Sequence, residues 1–73
     1  MATEVRAHIT GTVWKIEVKA GDHVDEDDPL VILESMKMEL PIEATEPGVI
    51  DEVRVHEGQS VDEGDVVLTM TED

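Results

Sequence analysis

Cysteine, phenylalanine and tyrosine are absent from this chain, and Trp14 is its only aromatic residue. Without cysteine, the chain forms neither a disulfide framework nor a thiolate metal site. Long apolar stretches are also missing, since the longest aliphatic run covers residues 30–33 and residues 1–10 lack the apolar segment of a secretory signal. This pattern argues against a signal peptide and a membrane-spanning helix, and we expect a cytoplasmic protein.

Basic residues are scarce as well. The chain has 5 Lys and Arg against 19 Asp and Glu, which gives a formal net charge of −14 at pH 7. Nucleic acids and anionic membrane surfaces are bound through basic contacts, so neither is expected as a partner. Charge of one sign keeps a protein soluble but adds repulsion within the folded state. One hypothesis is that the acidic, strongly hydrated surface suits a cytoplasm of high salt concentration.

With 73 residues, the chain has room for one small domain, which we place at residues 1–73. Met1 and the acidic end favour a complete protein over an excised domain. The apolar residues include eleven valines, five isoleucines and four leucines, and this composition favours short β-strands over long helices. Apolar residues alternate with other residues along segments 15–19, 38–45 and 53–56, as they do in half-buried strands.

The sequence repeats itself once. A shift of 37 residues places Gly11 on Gly48 and Gly21 on Gly58, and it superimposes the Val-Asp-Glu segments at 24–26 and 61–63. Such similarity indicates two copies of one supersecondary unit. One copy alone has no partner for its apolar face, so we expect the copies to close on each other with approximate two-fold symmetry. The sequence therefore predicts an all-β sandwich or flattened barrel of about eight short strands.

Two residues have predicted positions in this fold. Pro41 lacks the N–H that a strand ladder needs, so its strand is expected at a sheet edge. Trp14 falls on Asp51 under the repeat, so we expect Trp14 to face solvent. A single exposed tryptophan is ordinary in a protein surface, and contact with a partner is the alternative interpretation.

The most unusual segment is Met36-Lys37-Met38. Two strand-like segments, residues 30–33 and 40–44, flank it and place Met36 and Lys37 at the tip of a tight hairpin. Turns are usually built from Gly, Asn, Asp or Pro, because these residues tolerate or preset the required backbone angles. The Met-Lys pair therefore indicates a requirement of function and not of folding.

The string ESMKME, residues 34–39, resembles the attachment site of biotinyl carrier domains, whose family also includes lipoyl domains. The resemblance covers the whole chain, including turn segments at 21–22, 47–48 and 64–65, and the length is close to that of small free-standing biotin/lipoyl attachment proteins. It implies two four-stranded antiparallel sheets related by a pseudo-two-fold axis. It also implies a type I′ turn at the hairpin tip and a covalent biotin on Lys37.

The same resemblance implies roles for the neighbours of Lys37. Met36 and Met38 are the pair that characteristically flanks the lysine in biotinyl domains, and we assign them to contact with the cofactor and its enzymes. Met38 also shares its alternation face with the core residues of its strand. The flanking residues assigned to recognition are Glu34, Ser35 and Glu39.

The resemblance further implies a carrier and not an enzyme. Its partners are a biotin protein ligase, a biotin carboxylase and a carboxyltransferase, and the domain itself is expected to be monomeric. One alternative is a lipoyl carrier for acyl or redox transfer, although lipoyl domains usually present Asp-Lys-Ala at the tip. The other alternative is an unmodified acidic docking module.

Other candidate sites are weaker. The acidic segment 25–28 has ligands for a hard cation such as Ca²⁺. It lacks EF-hand spacing, and its repeat equivalent at 62–65 favours an acidic turn, so no metal site is predicted. His8, His23 and His56 are scattered, and no catalytic triad, paired catalytic carboxylates or phosphate-binding loop is present in the sequence.

Overall fold

The computed structural model describes residues 2–72. These residues form eight β-strands, namely β1 Ala2–Arg6, β2 Gly11–Ile16, β3 His23–Val24, β4 Pro29–Ser35, β5 Met38–Glu43, β6 Gly48–Val53, β7 Ser60–Val61 and β8 Val66–Glu72. In this described range, no helix has the length and apolar character needed to cross a membrane.

The strands form two four-stranded antiparallel sheets, with the orders β1-β8-β6-β3 and β5-β4-β2-β7. A shift of 37 residues exchanges β1–β4 with β5–β8, and it converts the strand order of one sheet into that of the other. The architecture is a flattened barrel-sandwich. This confirms the predicted all-β class, the number of strands and the pseudo-two-fold symmetry.

Backbone hydrogen bonds join the two copies in symmetric pairs. The Gly21 N–H donates to the Ile50 carbonyl oxygen at 2.8 Å, and the equivalent Gly58 N–H donates to the Val13 carbonyl oxygen, also at 2.8 Å. Each of these bonds runs from one copy to the other. Neither copy therefore satisfies its backbone groups alone, which agrees with the expectation that the copies close on each other.

An aliphatic core lies between the sheets. Its largest fully buried side chains are Leu30, Leu33, Ile50, Leu68, Val13, Val31 and Val67. Burial of a side chain of this kind contributes about 1.5–3 kcal/mol relative to exposure. Among the described residues, no polar or charged residue is buried, so the core stabilises the fold without a polar network.

Trp14 and Pro41 lie where the sequence predicts. Trp14 is 47% exposed, and Pro41 belongs to β5, the edge strand of its sheet. A register shift between Val13 and Lys15 makes Trp14 the extra residue of a β-bulge. The bulge also reverses the alternation of β2, so that Val13 and Ile16 both turn toward the core.

The turn expected at residues 47–48 lies earlier in the chain. The backbone bends at residues 45–46, and Gly48 already opens β6 and is buried. A β-carbon on Gly48 would clash with the main-chain oxygen of Thr71. The glycine therefore allows a close approach of two strands and does not shape a turn.

Candidate functional site

The hairpin between β4 and β5 has a two-residue loop. Ser35 pairs with Met38, which leaves Met36 and Lys37 at the tip with φ angles of 53° and 66°. Positive φ at both central residues defines a type I′ turn, as expected. The left-handed region costs an L-residue roughly 1–2 kcal/mol. The tip therefore holds strain that glycine would relieve, and strain of this kind is concentrated at functional sites.

The three residues at the tip project into solvent. Met36 is 92% exposed and Met38 is 58% exposed, and Lys37 is exposed between them. Within residues 2–72, no hydrogen bond or ion pair holds the Lys37 ammonium. Such an amine is accessible to an enzyme, and flexible thioethers beside it adapt to more than one contact surface.

Burial increases along the hairpin away from its tip. Leu40 is half-buried and Ile42 is 5% exposed on β5, while Leu33 on β4 is fully buried and pairs with Leu40. Met38, on the same face, is the exposed member of this series. The exposed side chains of the tip thus lie on a firmly packed base, which fixes the position of the Lys37 backbone.

Glu34 and Glu39 face each other across the hairpin, next to the pair that closes the turn. Like charges placed directly opposite destabilise a strand pair, so these acids do not serve the stability of the hairpin. Both are exposed, and Ser35 is half-buried beside Glu34. The structure thus brings all six residues of the ESMKME string together at one end of the sheet, and the recognition roles of Glu34, Ser35 and Glu39 stay a prediction.

The acidic segment 25–28 forms a turn in which one carboxylate accepts a backbone hydrogen bond. The Asp25 N–H donates to Asp28 Oδ2 at 2.9 Å, and in the other copy the Asp62 N–H donates to Asp65 Oδ2 at 2.8 Å. The carboxylates thus stabilise equivalent turns. Across residues 2–72, no cluster of three or more His, Cys, Asp or Glu residues is arranged to hold a metal ion.

One residue behind the hairpin belongs to no motif. Ile32 is half-buried on β4, paired with Lys15 of β2 on one side and with Pro41 of β5 on the other. The repeat contains a signal for it, because the residue 37 positions later is the polar Thr69. A position that is apolar in one copy and polar in the other is not set by the fold alone.

Comparison with solved structures finds close matches to small segments of large enzymes. A single-chain, multi-domain long-chain acyl-CoA carboxylase matches 99% of this chain with a TM-score of 0.95 and 32% identity, and the matched region is 7% of that protein. The urea carboxylase of Kluyveromyces lactis matches 97% of the chain with a TM-score of 0.91 and 32% identity. The chain is thus similar to one small part of each of these enzymes.

Sequence comparison finds small proteins as well. A biotin/lipoyl attachment protein of Bacillus subtilis (strain 168) is 46% identical over 67 residues, which cover 92% of each chain. A biotin carboxyl carrier protein of Streptococcus mutans is 42% identical over 69 residues, 94% of this chain and 53% of that protein. Residues 1–70 match the biotin/lipoyl family, described as "biotin-requiring enzyme". The chain therefore belongs to the biotin/lipoyl family of biotin-requiring enzymes.

Proposed function

We propose that Lys37 is the attachment residue of this biotin carboxyl carrier domain and that it brings biotin to the enzymes that load and unload CO₂. The chain is a non-catalytic carrier component of a biotin-dependent carboxylase, and its cofactor is biotin. The observation that supports Lys37 is its position. It offers an exposed amine at the strained tip of a hairpin and between two exposed methionines, and the amine forms no hydrogen bond or ion pair with residues 2–72.

Attachment makes Lys37 a nucleophile. The ammonium loses a proton, Nζ forms an amide bond with the carboxyl carbon of biotinyl adenylate, and the bond from that carbon to the phosphate oxygen of AMP breaks. The formal net charge of the chain then changes from −14 to −15. Since no described side chain forms a hydrogen bond or ion pair with the amine, we assign its activation to the pocket of the ligase and not to this domain.

The residues around Lys37 fit such a group. The amine is uncovered, so an attached chain extends away from the domain, while the packed strands below keep its anchor fixed. Once attached, biotin supplies a ureido nitrogen that takes up CO₂. Met36 and Met38 provide apolar contact beside the anchor, and Glu34, Ser35 and Glu39 present polar groups to the enzymes that bind the hairpin.

Three enzymes act on Lys37 under this proposal, namely a biotin protein ligase, a biotin carboxylase and a carboxyltransferase. The last two are supported by relatives in which a similar segment forms 5–6% of a larger enzyme, including a pyruvate carboxylase of Staphylococcus aureus and a putative urea carboxylase of Emericella nidulans. We also propose that the domain is monomeric and works in the cytoplasm.

The test is the intact mass of the protein purified from its own host. A mass increase equal to one biotinyl group is expected for the wild type and for Lys19→Ala, and no increase is expected for Lys37→Ala. Lys19 is a suitable control because it is one of only two other lysines. A biotinyl group that persists in Lys37→Ala would contradict the proposed site.

A lipoyl carrier is the second candidate, favoured by the name of the Bacillus subtilis relative, which includes both cofactors. The same measurement separates the two, because a lipoyl group adds a different mass. No increase, even after incubation with biotin ligase, ATP and biotin, would contradict both carrier functions and would favour an unmodified docking module.

A further inference from the structure

An apolar row crosses the outer face of the sheet that carries Lys37. Ile32 on β4 pairs with Pro41 on β5 and with Lys15 on β2. Trp14, the bulge residue, lies beside Lys15 opposite Ile32. Trp14 and Pro41 are exposed and Ile32 is half-buried. We call these three apolar residues, Trp14, Ile32 and Pro41, the outer row.

The internal repeat provides a control for the outer row. In the other sheet, Thr69 on β8 pairs with Glu4 on β1 and with Glu52 on β6, and Asp51 is the bulge residue. Trp14, Ile32 and Pro41 therefore correspond to Asp51, Thr69 and Glu4. The same fold positions are apolar on one outer face and polar on the other, so the architecture does not require apolar residues there.

The charges around the two faces also differ. On the lysine-bearing sheet the acidic border consists of Glu34, Glu39 and Glu43, whose equivalents in the other copy are Thr71, Ala2 and Arg6. Among residues 2–72, none of the three border acids forms an ion pair.

Two acids of the opposite face form ion pairs. Arg6 Nη2 lies 2.6 Å from Glu4 Oε1, and Arg54 Nε lies 2.7 Å from Glu52 Oε1. On the lysine-bearing face, apolar residues lie beside Lys15, which pairs with Glu17 at 3.4 Å, and the acidic border forms no ion pair among residues 2–72. Such a face is complementary to an apolar depression edged by Lys and Arg side chains.

We infer that the outer row is a docking surface for the biotin carboxylase that acts on Lys37, and that this enzyme receives it in an apolar depression bordered by basic residues. The inference rests on the proposed function of Lys37. Ile32 lies on β4 four residues before Met36, where the tip begins, which places the row roughly 13 Å behind the tip at the rise of an extended strand. An enzyme whose active site admits the tip therefore meets the row with the rim of its cleft.

The biotin carboxylase is chosen over the carboxyltransferase because its step does not depend on the final acceptor, and the biotinylation rate measured below separates it from the ligase. The names of the relatives specify different final acceptors, pyruvate and urea among them, whereas loading of CO₂ onto the carrier is the same reaction in each. A surface that belongs to the carrier itself is expected to serve the shared step.

The test replaces residues of the row by their equivalents from the other copy. Trp14→Asp and Ile32→Thr introduce the residues found at the equivalent positions of the other copy, and Thr69→Ile on the opposite face is the matched control. Each protein is biotinylated to completion, verified by intact mass, and used as the substrate of purified biotin carboxylase. We expect each of the two row variants to raise KM for the carrier about 10-fold or more with little change in kcat. We expect Thr69→Ile to leave both constants unchanged.

Salt provides a second measurement. The KM of the wild type should rise with NaCl concentration, because charge complementarity between the acidic border and a basic rim is screened. Circular dichroism melting of each variant verifies that it is folded at the assay temperature, and Ile32→Thr remains informative if Trp14→Asp is not folded.

Unchanged KM in folded, fully biotinylated row variants would overturn the inference and leave the proposed function intact. A slower biotinylation rate with unchanged carboxylase KM would also overturn it, by assigning the row to the ligase. If the wild type accepts no biotin, the proposed function fails instead, so the two failures are distinguishable.

Discussion

Gly11 packs against the main chain of Glu34, and a β-carbon on Gly11 would lie 2.6 Å from the Glu34 carbonyl oxygen. Glu34 is three residues before Lys37, so this contact holds β2 against the base of the hairpin. The same relationship exists between Gly48 and Thr71 in the other copy. The two glycines that the repeat superimposes are therefore required by close strand approach.

Gly11→Ala is expected to destabilise the domain by about 1–3 kcal/mol, because the strands must separate to admit the methyl group. Urea denaturation followed by circular dichroism measures the change in the free energy of unfolding. Thr12→Ala is the control, because Thr12 follows Gly11 on β2 and its side chain is exposed. Equal losses in both variants would contradict the packing argument.

Much of the fold follows from the repeat and the period-two pattern. The spacing of core residues also indicates the bulge at Trp14. Ile16 and Val18 lie three and five positions after buried Val13, and an uninterrupted strand would place them on the opposite face from Val13. The role of Gly48 was not predictable in the same way. Glycine is common both in turns and at close strand contacts, and only the position of Thr71 distinguishes the two.

The site was predictable to a different extent. The hairpin and its positive φ angles follow from the flanking strands and the resemblance of residues 34–39 to biotinyl domains. The outer row did not follow, because Trp14, Ile32 and Pro41 lie on three strands and no local spacing connects them. Their common feature emerges only when the register is known and each is compared with its equivalent in the other copy.

Replacement of Met36 and Lys37 by Asn-Gly is expected to stabilise the domain by about 1–2 kcal/mol, because these residues accept the positive φ angles of a type I′ turn. The same variant should lose biotinylation entirely. Urea denaturation and intact mass measure the two effects. Lys37→Arg is the control, which should lose biotin without a comparable gain in stability. A less stable Asn-Gly variant would contradict the presence of strain at the tip.

The carboxyl groups of Glu46 and Glu72 influence each other. A hydrogen bond with Glu72 and repulsion from it raise the pKa of Glu46 above its ordinary value of 4.5. The Thr3 hydroxyl donates to Glu72 and, with Glu46, lowers the pKa of Glu72 below that value. The contribution of Glu46 to stability is thus complete below pH 4.5 and is lost as pH rises through its raised pKa. The contribution of Glu72 has the opposite sign and is lost as pH falls through its lowered pKa.

Glu46→Gln is therefore expected to raise the melting temperature at neutral pH, because it removes the repulsion with Glu72. It should also reduce the stabilisation that the wild type gains as pH falls from neutral toward 4.5. Thermal melting at several pH values measures both effects. Glu43→Gln removes the same charge elsewhere and serves as the control. If it reproduces the effect of Glu46→Gln, general charge and not this pair is responsible.

The acidic surface leads to a prediction about salt. The ion pairs found among the described residues join Arg6 to Glu4, Lys15 to Glu17 and Arg54 to Glu52. All of them involve exposed or partly exposed side chains. Solvent and salt are therefore expected to screen most of the repulsion that the net charge of −14 produces. Raising NaCl from about 0.1 M to about 1 M shortens the screening length from roughly 10 Å to roughly 3 Å and should weaken this repulsion. A gain of about 1 kcal/mol would raise the melting temperature by roughly 4–8 °C in a domain of this size.

A combined variant with glutamine at positions 34, 39 and 43 should melt higher at low salt and respond less to NaCl. A melting temperature that is independent of salt would contradict the hypothesis that the surface suits a high-salt environment.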